Sequence, residues 1–343
     1  MMMPSPWETH GVKPDNIFSS LDKWLPKGGG LRGSECKVEC LCAGYYRSLD
    51  SFSIALASQS AFTPPGQQLH SYSRQDDASY LIFKAGLSDR GMKSYLSRLQ
   101  PLLLWFIEAA SYIDEEDDKW MFYLVYRHVR EAGLPRYSLV AFASVYLFYC
   151  YPDRQRPRVS QLLVLPHYQR RGHGAELLQE ICSDLCSDPS THDITVEDPS
   201  ETFVRLRDFV DCRNALRLPT FQPPTIHGPF QGVISAAATD TLKLHKTQAR
   251  RVYEILRLRA TDRSDPAQYR DYRLAVKNRL NAPHQRELQE HGRLSRLLDP
   301  AELALTHPLP SSSSQEEHLT KLHGAYYQLE TEYRAVIERL AAS

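Results

Sequence analysis

The fold of this chain is decided by one ten-residue stretch, whose sequence is Leu165-Pro166-His167-Tyr168-Gln169-Arg170-Arg171-Gly172-His173-Gly174. Residues 159–164 precede it and are apolar enough for a strand that is buried on both faces. Apolar residues at helical spacing follow it and predict a helix to about residue 187. A turn at the amino end of a helix presents free backbone N–H groups and the positive end of the helix dipole. The stretch therefore predicts an anion cradle for the phosphates of a cofactor.

The spacing of the glycines narrows the choice of cofactor. Gly172 and Gly174 remove Cβ atoms where the backbone has to approach a ligand. The turn lacks the Lys-Ser/Thr pair of a P-loop and the earlier glycine of a dinucleotide-binding turn. The pattern Gln169-x-x-Gly172-x-Gly174 instead resembles the Q/R-x-x-G-x-G/A motif of the GNAT acetyltransferases, which implies acetyl-CoA as co-substrate. A plain strand-to-helix turn is the alternative that the spacing alone leaves open.

Five further stretches resemble the catalytic subunit of the type B histone acetyltransferases. They are Trp105–Ser111, Arg156–Gln161, Asp193–Ser200, Phe203–Phe209 and Ala249–Leu258. The resemblance covers roughly residues 64–343, in order and without large gaps. It implies an α+β fold in which a GNAT-type mixed sheet with flanking helices, residues 64–218, precedes an all-helical C-terminal domain, residues 219–343.

Residues 1–63 are expected to be a poorly specified segment that is divergent or shortened. Members of the family carry a longer N-terminal domain for histone binding and for docking on a WD-repeat histone chaperone, and we find no counterpart of it before residue 64. The segment is rich in Pro and Gly and lacks periodic apolar positions. We therefore expect histone and chaperone binding to be weakened more than acetyl-CoA binding.

Acetyl transfer to a lysine requires a group that removes a proton from the ε-ammonium, whose ordinary pKa is ~10.4. A carboxylate whose pKa is raised by burial beside the thioester can take this proton. The resemblance places the family's catalytic carboxylates at Glu197, Asp198 and Glu108, with Glu197 as the leading base. Local sequence offers other interpretations. Asp198-Pro199-Ser200 is typical of an N-cap followed by proline in the first helical turn, and Glu108 fits an ion-paired or solvent-facing position on a helix.

The resemblance also assigns residues to the cofactor and to the peptide. The cofactor residues are Leu162, Leu163, Val164, Gln169, Arg170, Arg171, Gly172, His173, Gly174 and Ser200. Among them, backbone N–H groups near Leu163 and Val164 would polarise the thioester carbonyl, whereas His173 is expected to be structural or cofactor-facing rather than a base. The peptide residues are Trp120, Tyr146 and Phe148, which would form an aromatic wall; core packing is the alternative for each.

Hydrophobic periodicity predicts the remaining elements. They are a hairpin over 69–73 and 79–84, a helix over 89–112, an antiparallel pair over 120–127 and 137–149, a strand over 194–196 and a helix over 200–216. Pro101 is expected to kink or break the first helix near Gln100. The acidic run 114–118 is expected to be a solvated loop that could attract a basic tail. A last helix is predicted from seven apolar residues three and four apart, Leu319, Leu322, Tyr326, Leu329, Tyr333, Val336 and Leu340. Its expected packing partners within the chain are Leu288, Leu294 and Leu298.

Composition excludes several classes of function. The 41 basic and 41 acidic side chains cancel, so no overall field favours nucleic acid or an anionic membrane. No apolar run approaches the ~20 residues of a membrane helix, and we recognise no secretory signal. Seven cysteines spread along the chain indicate free thiols in a reducing compartment. Cys36, Cys40 and Cys42 lack a second pair at zinc-finger spacing, so no metal is expected.

The resemblance implies a protein lysine N-acetyltransferase for the N-terminal tail of newly synthesised histone H4, presented as H3–H4, in the nucleus and the cytoplasm. Two alternatives stay open. One is a GNAT enzyme that acetylates another protein or a small amine. The other is a scaffold that binds acetyl-CoA or histones without turnover.

Overall fold

The structure is a computed structural model, and it describes residues 62–342 except for 75, 77, 132–133, 231, 263, 298 and 300–314. The strands of the described part are β1 (Gln67–Ser73), β2 (Ser79–Gly86), β3 (Trp120–Glu131), β4 (Leu134–Cys150), β5 (Arg154–Val164) and β6 (Thr195–Val196). Its α-helices are α1 (Met92–Phe106), α2 (His173–Ser187), α3 (Glu201–Ala215), α4 (Val233–Asp240), α5 (Lys246–Ala260), α6 (Pro266–Leu294) and α7 (Gln315–Ala341). The predicted hairpins, the short strand β6 and the helices α2, α3 and α7 are therefore confirmed.

The strands form one sheet in the order β1 to β6. Neighbouring strands from β1 to β4 are antiparallel. Gln155 of β5 forms a parallel bridge with Thr191, so the sheet is mixed. Residues 122–126 of β3 and 139–145 of β4 are buried without alternation, which means that both faces of the sheet are covered there.

The described chain consists of two compact units. The first contains the residues up to Phe148 together with Arg158–Glu180, and the second contains Tyr149–Pro157 and the residues from Ile181 onward. The cradle therefore belongs to the first unit, whereas the helices α3 to α7 belong to the second. The predicted domain boundary between residues 218 and 219 remains a prediction, because compactness does not test where a family domain ends.

The strand before the cradle differs from its prediction. Burial alternates along β5, where Val159, Gln161 and Leu163 are buried and the intervening side chains are only partly covered. Leu162 and Val164 are among the partly covered residues. The expectation of a strand buried on both faces is therefore wrong, because apolar side chains also lie on the less covered face of β5.

The helix α1 is shorter than the predicted helix over 89–112. It continues through Pro101, so no break occurs near Gln100, whereas the alternative of a kink stays a prediction. It ends at Phe106, where Ile107 takes an extended backbone conformation, and the buried side chain of Gln100 accepts a hydrogen bond from the backbone N–H of Ile113 at 2.6 Å. This bond holds the chain as it turns back on the helix, and Glu108 lies in the turn rather than on the helix.

The last helix, α7, packs on α3, α5 and α6 within the second unit. Tyr326, Tyr333 and Val336 of its predicted apolar seam are buried. The predicted partner helix is confirmed, because Leu288 and Leu294 lie on α6. The contact extends from Tyr269, which donates to Glu330, to His284, whose ring centroid lies 3.8 Å from that of His318, whereas Leu288 itself is 40% exposed. Leu298 lies outside the described residues.

Two kinds of feature are missing from the part of the chain that the structure describes. No described helix is long and apolar enough to cross a membrane. No three His, Cys, Asp or Glu side chains of the described part are grouped so as to hold a metal ion. Cys36, Cys40 and Cys42 lie outside the described residues.

Candidate active site

The cradle is a tightly closed turn between β5 and α2. A 3₁₀ turn, Pro166–Tyr168, follows the strand, and the side chain of Gln169 donates to the carbonyl oxygen of Val164 at 2.9 Å. Arg170 and Gly172 then adopt left-handed backbone conformations, with φ of 61° and 87°. Only a non-glycine residue is strained by such a φ, so the strain falls on Arg170 at a cost of about 1 kcal/mol. The predicted order of strand, turn and helix is confirmed.

The amino end of α2 has the geometry of an anion site. The N–H groups of Ala175 and Glu176 donate to the carbonyl oxygen of Gly172 at 3.1 and 3.2 Å. The earlier N–H groups of a helix, here those of His173 and Gly174, have no acceptor within it. A Cβ added at Gly172 would lie 3.0 Å from Nη2 of Arg74, and its φ of 87° also favours glycine. These features suit the diphosphate of a nucleotide cofactor.

The side chain of His173 supports the cradle from the protein interior. It is 1% exposed, its Nδ1 lies 2.8 Å from the Tyr72 hydroxyl, and its ring centroid lies 4.5 Å from that of Tyr80. Burial lowers the pKa of His173 to about 4, so the imidazole is neutral at physiological pH. This position agrees with the structural role that was one of the two expected for His173. The side chain links the start of α2 to β1 and β2.

Sequence reasoning missed a cation beside the cradle. Arg74 follows β1 and donates from Nη2 to Oε1 of Glu176, in the first turn of α2, at 3.1 Å. The pair lies 102 residues apart in sequence. No motif surrounds Arg74, so only the pairing of β1 within the sheet could have indicated its proximity to the cradle.

Glu108 lies on an exposed turn that two buried glutamines anchor. Gln100 accepts from Ile113, as described above, and Gln161 of β5 donates to the carbonyl oxygen of Ser111 at 3.1 Å. The loop after α1 is therefore fixed on the first unit at two points. The helical position expected for Glu108 is wrong, but the turn holds its backbone in a defined place.

Glu197 and Asp198 directly follow β6 in the second unit, and both are exposed. Asp198 has a left-handed φ of 31°, which is strained for a residue with a side chain. Ser200 is the N-cap of α3, and its Oγ accepts from the N–H of Phe203 at 3.3 Å. The Asp-Pro-Ser segment does begin a helix, but Pro199 precedes the cap instead of occupying the first turn. The described residues do not supply the burial that the sequence argument required of the base.

The three predicted peptide residues form one continuous aromatic surface. Trp120 lies opposite Tyr146 in the register of β3 and β4, with ring centroids 4.9 Å apart. The Tyr146 and Phe148 centroids are 4.6 Å apart, and Cζ of Arg158 lies 4.5 Å from the Phe148 centroid. All three rings are partly or largely exposed, so the alternative of core packing is not what the structure shows.

The aromatic surface meets the acidic loop at its polar end. The Tyr146 hydroxyl donates to Oδ2 of Asp117 at 2.8 Å. The backbone N–H of Lys119 and this hydroxyl lower the pKa of Asp117 below its ordinary value. The run 114–118 is a loop, as predicted, and Asp117 remains ionised beside the wall.

The mixed sheet, the strand that ends in a glycine cradle and the following helices agree with the GNAT-type acetyltransferase that the sequence motif predicted. Two family models match the sequence: "Histone acetyl transferase HAT1 N-terminus" over residues 6–108 and "Histone acetyltransferase type B catalytic subunit, C-terminal" over residues 207–258. The human type B catalytic subunit is 39% identical over 303 residues, which are 87% of this chain and 72% of the human protein. The mouse subunit is 38% identical with the same coverage. The chain therefore belongs to the family of type B histone acetyltransferase catalytic subunits, which are lysine acetyltransferases.

Solved structures give a weaker similarity. An aminoglycoside acetyltransferase from an uncultured soil metagenomic sample, in complex with sisomicin, is 14% identical and covers 45% of this chain and 92% of that chain, with a TM-score of 0.27. An aminoglycoside N-acetyltransferase in complex with CoA is 12% identical, with a TM-score of 0.27, and covers 38% of this chain and 85% of that chain. The family assignment depends on the sequence relatives and not on these solved structures.

The N-terminal match corrects one prediction. Residues 6–108 match the family's N-terminal model, so the expectation that no counterpart precedes residue 64 is wrong. No motif in this segment is distinctive by itself, whereas a family model adds weak preferences over about a hundred positions. We therefore no longer expect histone and chaperone binding to be weakened on the ground of a missing segment.

Proposed function

We propose that this chain transfers the acetyl group of acetyl-CoA to lysine ε-amines in the N-terminal tail of newly synthesised histone H4. The observation that carries the proposal is the cradle at the amino end of α2, in a chain that belongs to this family. The closed turn and the crowded Gly172 suit a diphosphate, and the aromatic wall beside an ionised Asp117 suits a basic peptide.

The cofactor is assigned to the backbone more than to side chains. The N–H groups at the start of α2 face the diphosphate, and the segment Leu162–Val164 of β5 binds the pantetheine arm and the thioester carbonyl. Leu162 and Val164 are only partly covered by the protein, which leaves room for a ligand on that face. Acetyl-CoA supplies the acetyl group as a thioester.

Glu197 is assigned the role of general base. The proton passes from Nζ of the substrate lysine to the Glu197 carboxylate, which leaves the neutral amine able to attack the thioester carbonyl directly. Because Glu197 is exposed, we infer that bound peptide and acetyl-CoA exclude water around it and thereby increase its basicity. Asp198 and Glu108 assist, either by orienting the lysine or by accepting the proton in turn.

The peptide is assigned to the surface of Trp120, Tyr146 and Phe148. An extended tail would lie across the rings, and the run 114–118 would attract its basic side chains. We further propose that the chain receives H4 as H3–H4 together with a WD-repeat histone chaperone, in both nucleus and cytoplasm.

The decisive experiment is acetylation of an H4 tail peptide with acetyl-CoA, with the modified lysines mapped by mass spectrometry. A scrambled peptide of equal charge and a polyamine serve as competing amines. We expect acetylation at defined lysines of the H4 peptide. Equal rates on all three amines would contradict the H4 assignment, and CoA binding without any turnover would favour a scaffold.

A further inference from the structure

The guanidinium of Arg74 lies directly against the phosphate cradle. The Cβ position of Gly172 is 3.0 Å from Nη2 and 3.3 Å from Cζ of Arg74. The cation therefore lies beside the turn whose backbone is assigned to the diphosphate, in the space that a side chain at position 172 would need. It comes from the end of β1, far from the cradle in sequence.

Glu176 creates an electrostatic problem at the same place. Its carboxylate lies in the first turn of α2, where a negative charge stabilises the helix dipole. The same charge repels an anionic ligand at that helix end. The ion pair with Arg74, at 3.1 Å, neutralises the carboxylate without removing it.

Arg74 retains hydrogen-bonding capacity after it has paired with Glu176. A guanidinium carries five N–H donors, and the pair uses one from Nη2. Nε is buried and has no acceptor among the residues that the structure describes. Cζ lies 5.0 Å from the ring centroid of Tyr72, whose hydroxyl contacts His173, so the guanidinium is held on a fixed support. About a third of the side chain is exposed.

We propose that Arg74 is a cofactor-binding residue with two effects: it neutralises Glu176, and it donates hydrogen bonds to the diphosphate of acetyl-CoA. The inference rests on the proposed cofactor site and adds to it a side chain from the segment matched by the N-terminal family model. An ordinary surface ion pair contributes little to stability, so a purely structural pair would have little effect on cofactor binding.

The test measures the Kd of CoA by calorimetry for the wild type, Arg74→Gln, Glu176→Gln and the double variant. We expect Arg74→Gln to weaken CoA binding about 10- to 100-fold, since charge-assisted hydrogen bonds are lost. Adding Glu176→Gln should recover part of the loss, because the unpaired carboxylate is removed. Arg74→Lys should be intermediate, since it keeps the charge but not the planar fork.

Arg205→Gln is the matched control, because Arg205 pairs with the exposed Glu201 at the same distance, 3.1 Å. It should leave the Kd unchanged. Raising the salt concentration from 50 to 200 mM should weaken CoA binding more in the wild type than in Arg74→Gln. A purely structural role of Arg74 would leave the two salt dependences equal. A Kd within twofold of wild type, or a double variant no better than Arg74→Gln, would overturn the proposal. CoA binding is measured directly, so the outcome is separate from which amine is acetylated.

Discussion

The cradle and the turn that carries Glu197 are built in opposite ways. Behind the cradle lies buried His173, and beside it the Arg74–Glu176 pair holds the first turn of α2. The carboxylates of Glu197 and Asp198 are exposed, and Asp198 is strained. Under the roles proposed above, the fold prepares cofactor binding, whereas Glu197 acquires its environment from bound molecules. Binding and chemistry should therefore respond to different mutations.

Glu197→Gln should produce the largest difference between an effect on turnover and an effect on cofactor binding. The amide keeps the shape of the side chain but cannot take the lysine proton, so turnover should fall about 10²- to 10⁴-fold. The Kd of acetyl-CoA should hardly change, because the cradle is independent of this turn. Steady-state kinetics and calorimetry on the same preparation check both statements.

Glu201→Gln is a suitable control for Glu197→Gln. Glu201 is also exposed and only four positions further along, but it pairs with Arg205 on the surface of α3. Its loss should leave turnover near normal. If Glu197→Gln keeps near-normal turnover and Glu108→Gln loses most of it, then Glu108 and not Glu197 is the base.

Gly174→Asp should impair cofactor binding directly, in contrast to Glu197→Gln. An aspartate in the first turn of a helix favours the dipole, so the fold should tolerate the charge. The same charge occupies the anion site, and CoA affinity should fall about 10²-fold through repulsion and lost hydrogen bonds. Calorimetry measures the effect, with Gly324→Asp on the open surface of α7 as control. Unchanged affinity in a folded Gly174→Asp protein would refute the cradle assignment.

A buried ion pair in the second unit should affect stability and not the cradle. Arg279 donates to Glu254 through Nη2 at 2.8 Å, and the Tyr333 hydroxyl donates to the same carboxylate at 2.9 Å. Glu254→Gln leaves these donors poorly matched and should lower the free energy of unfolding by about 2 kcal/mol. Urea unfolding measures it against Glu201→Gln. A loss of CoA affinity in the folded variant would contradict the separation between the two regions.

Local patterns were sufficient for the elements around the cradle. Glycine spacing and hydrophobic periodicity predicted the end of β5, the start of α2 and the β3–β4 pair, because these depend on residues that are neighbours in sequence. The position of Glu108 could not be predicted in this way. The loop that carries Glu108 is held by Gln100 and Gln161, and the second of these comes from a strand distant along the chain.

The same limit explains Arg74 and the partners of α7. Arg74 reaches the cradle only through the pairing of β1 with β2, and a side chain at such a distance leaves no periodic pattern. The apolar seam of α7 predicted a buried face that packs on α6, but not which residues of α6 it contacts. That choice depends on polar matches such as Tyr269 with Glu330, which hydrophobic spacing does not encode.

The smallest expected effect is a pH dependence of the free energy of unfolding, which tests whether the cradle depends on the buried side chain of His173. Burial lowers the pKa of His173 to about 4, below the ~6.5 of an unfolded histidine, so the unfolded chain binds the proton more readily. The stabilisation from neutral His173 is therefore present above pH 6.5 and is lost as the pH falls toward 4. Between pH 6.5 and 5.5 the loss should be about 1 kcal/mol. Urea unfolding at both pH values should show it in the wild type and in His167→Gln, since His167 is exposed, but not in His173→Gln. Equal pH dependence in all three proteins would mean that the cradle does not depend on a neutral imidazole beneath it.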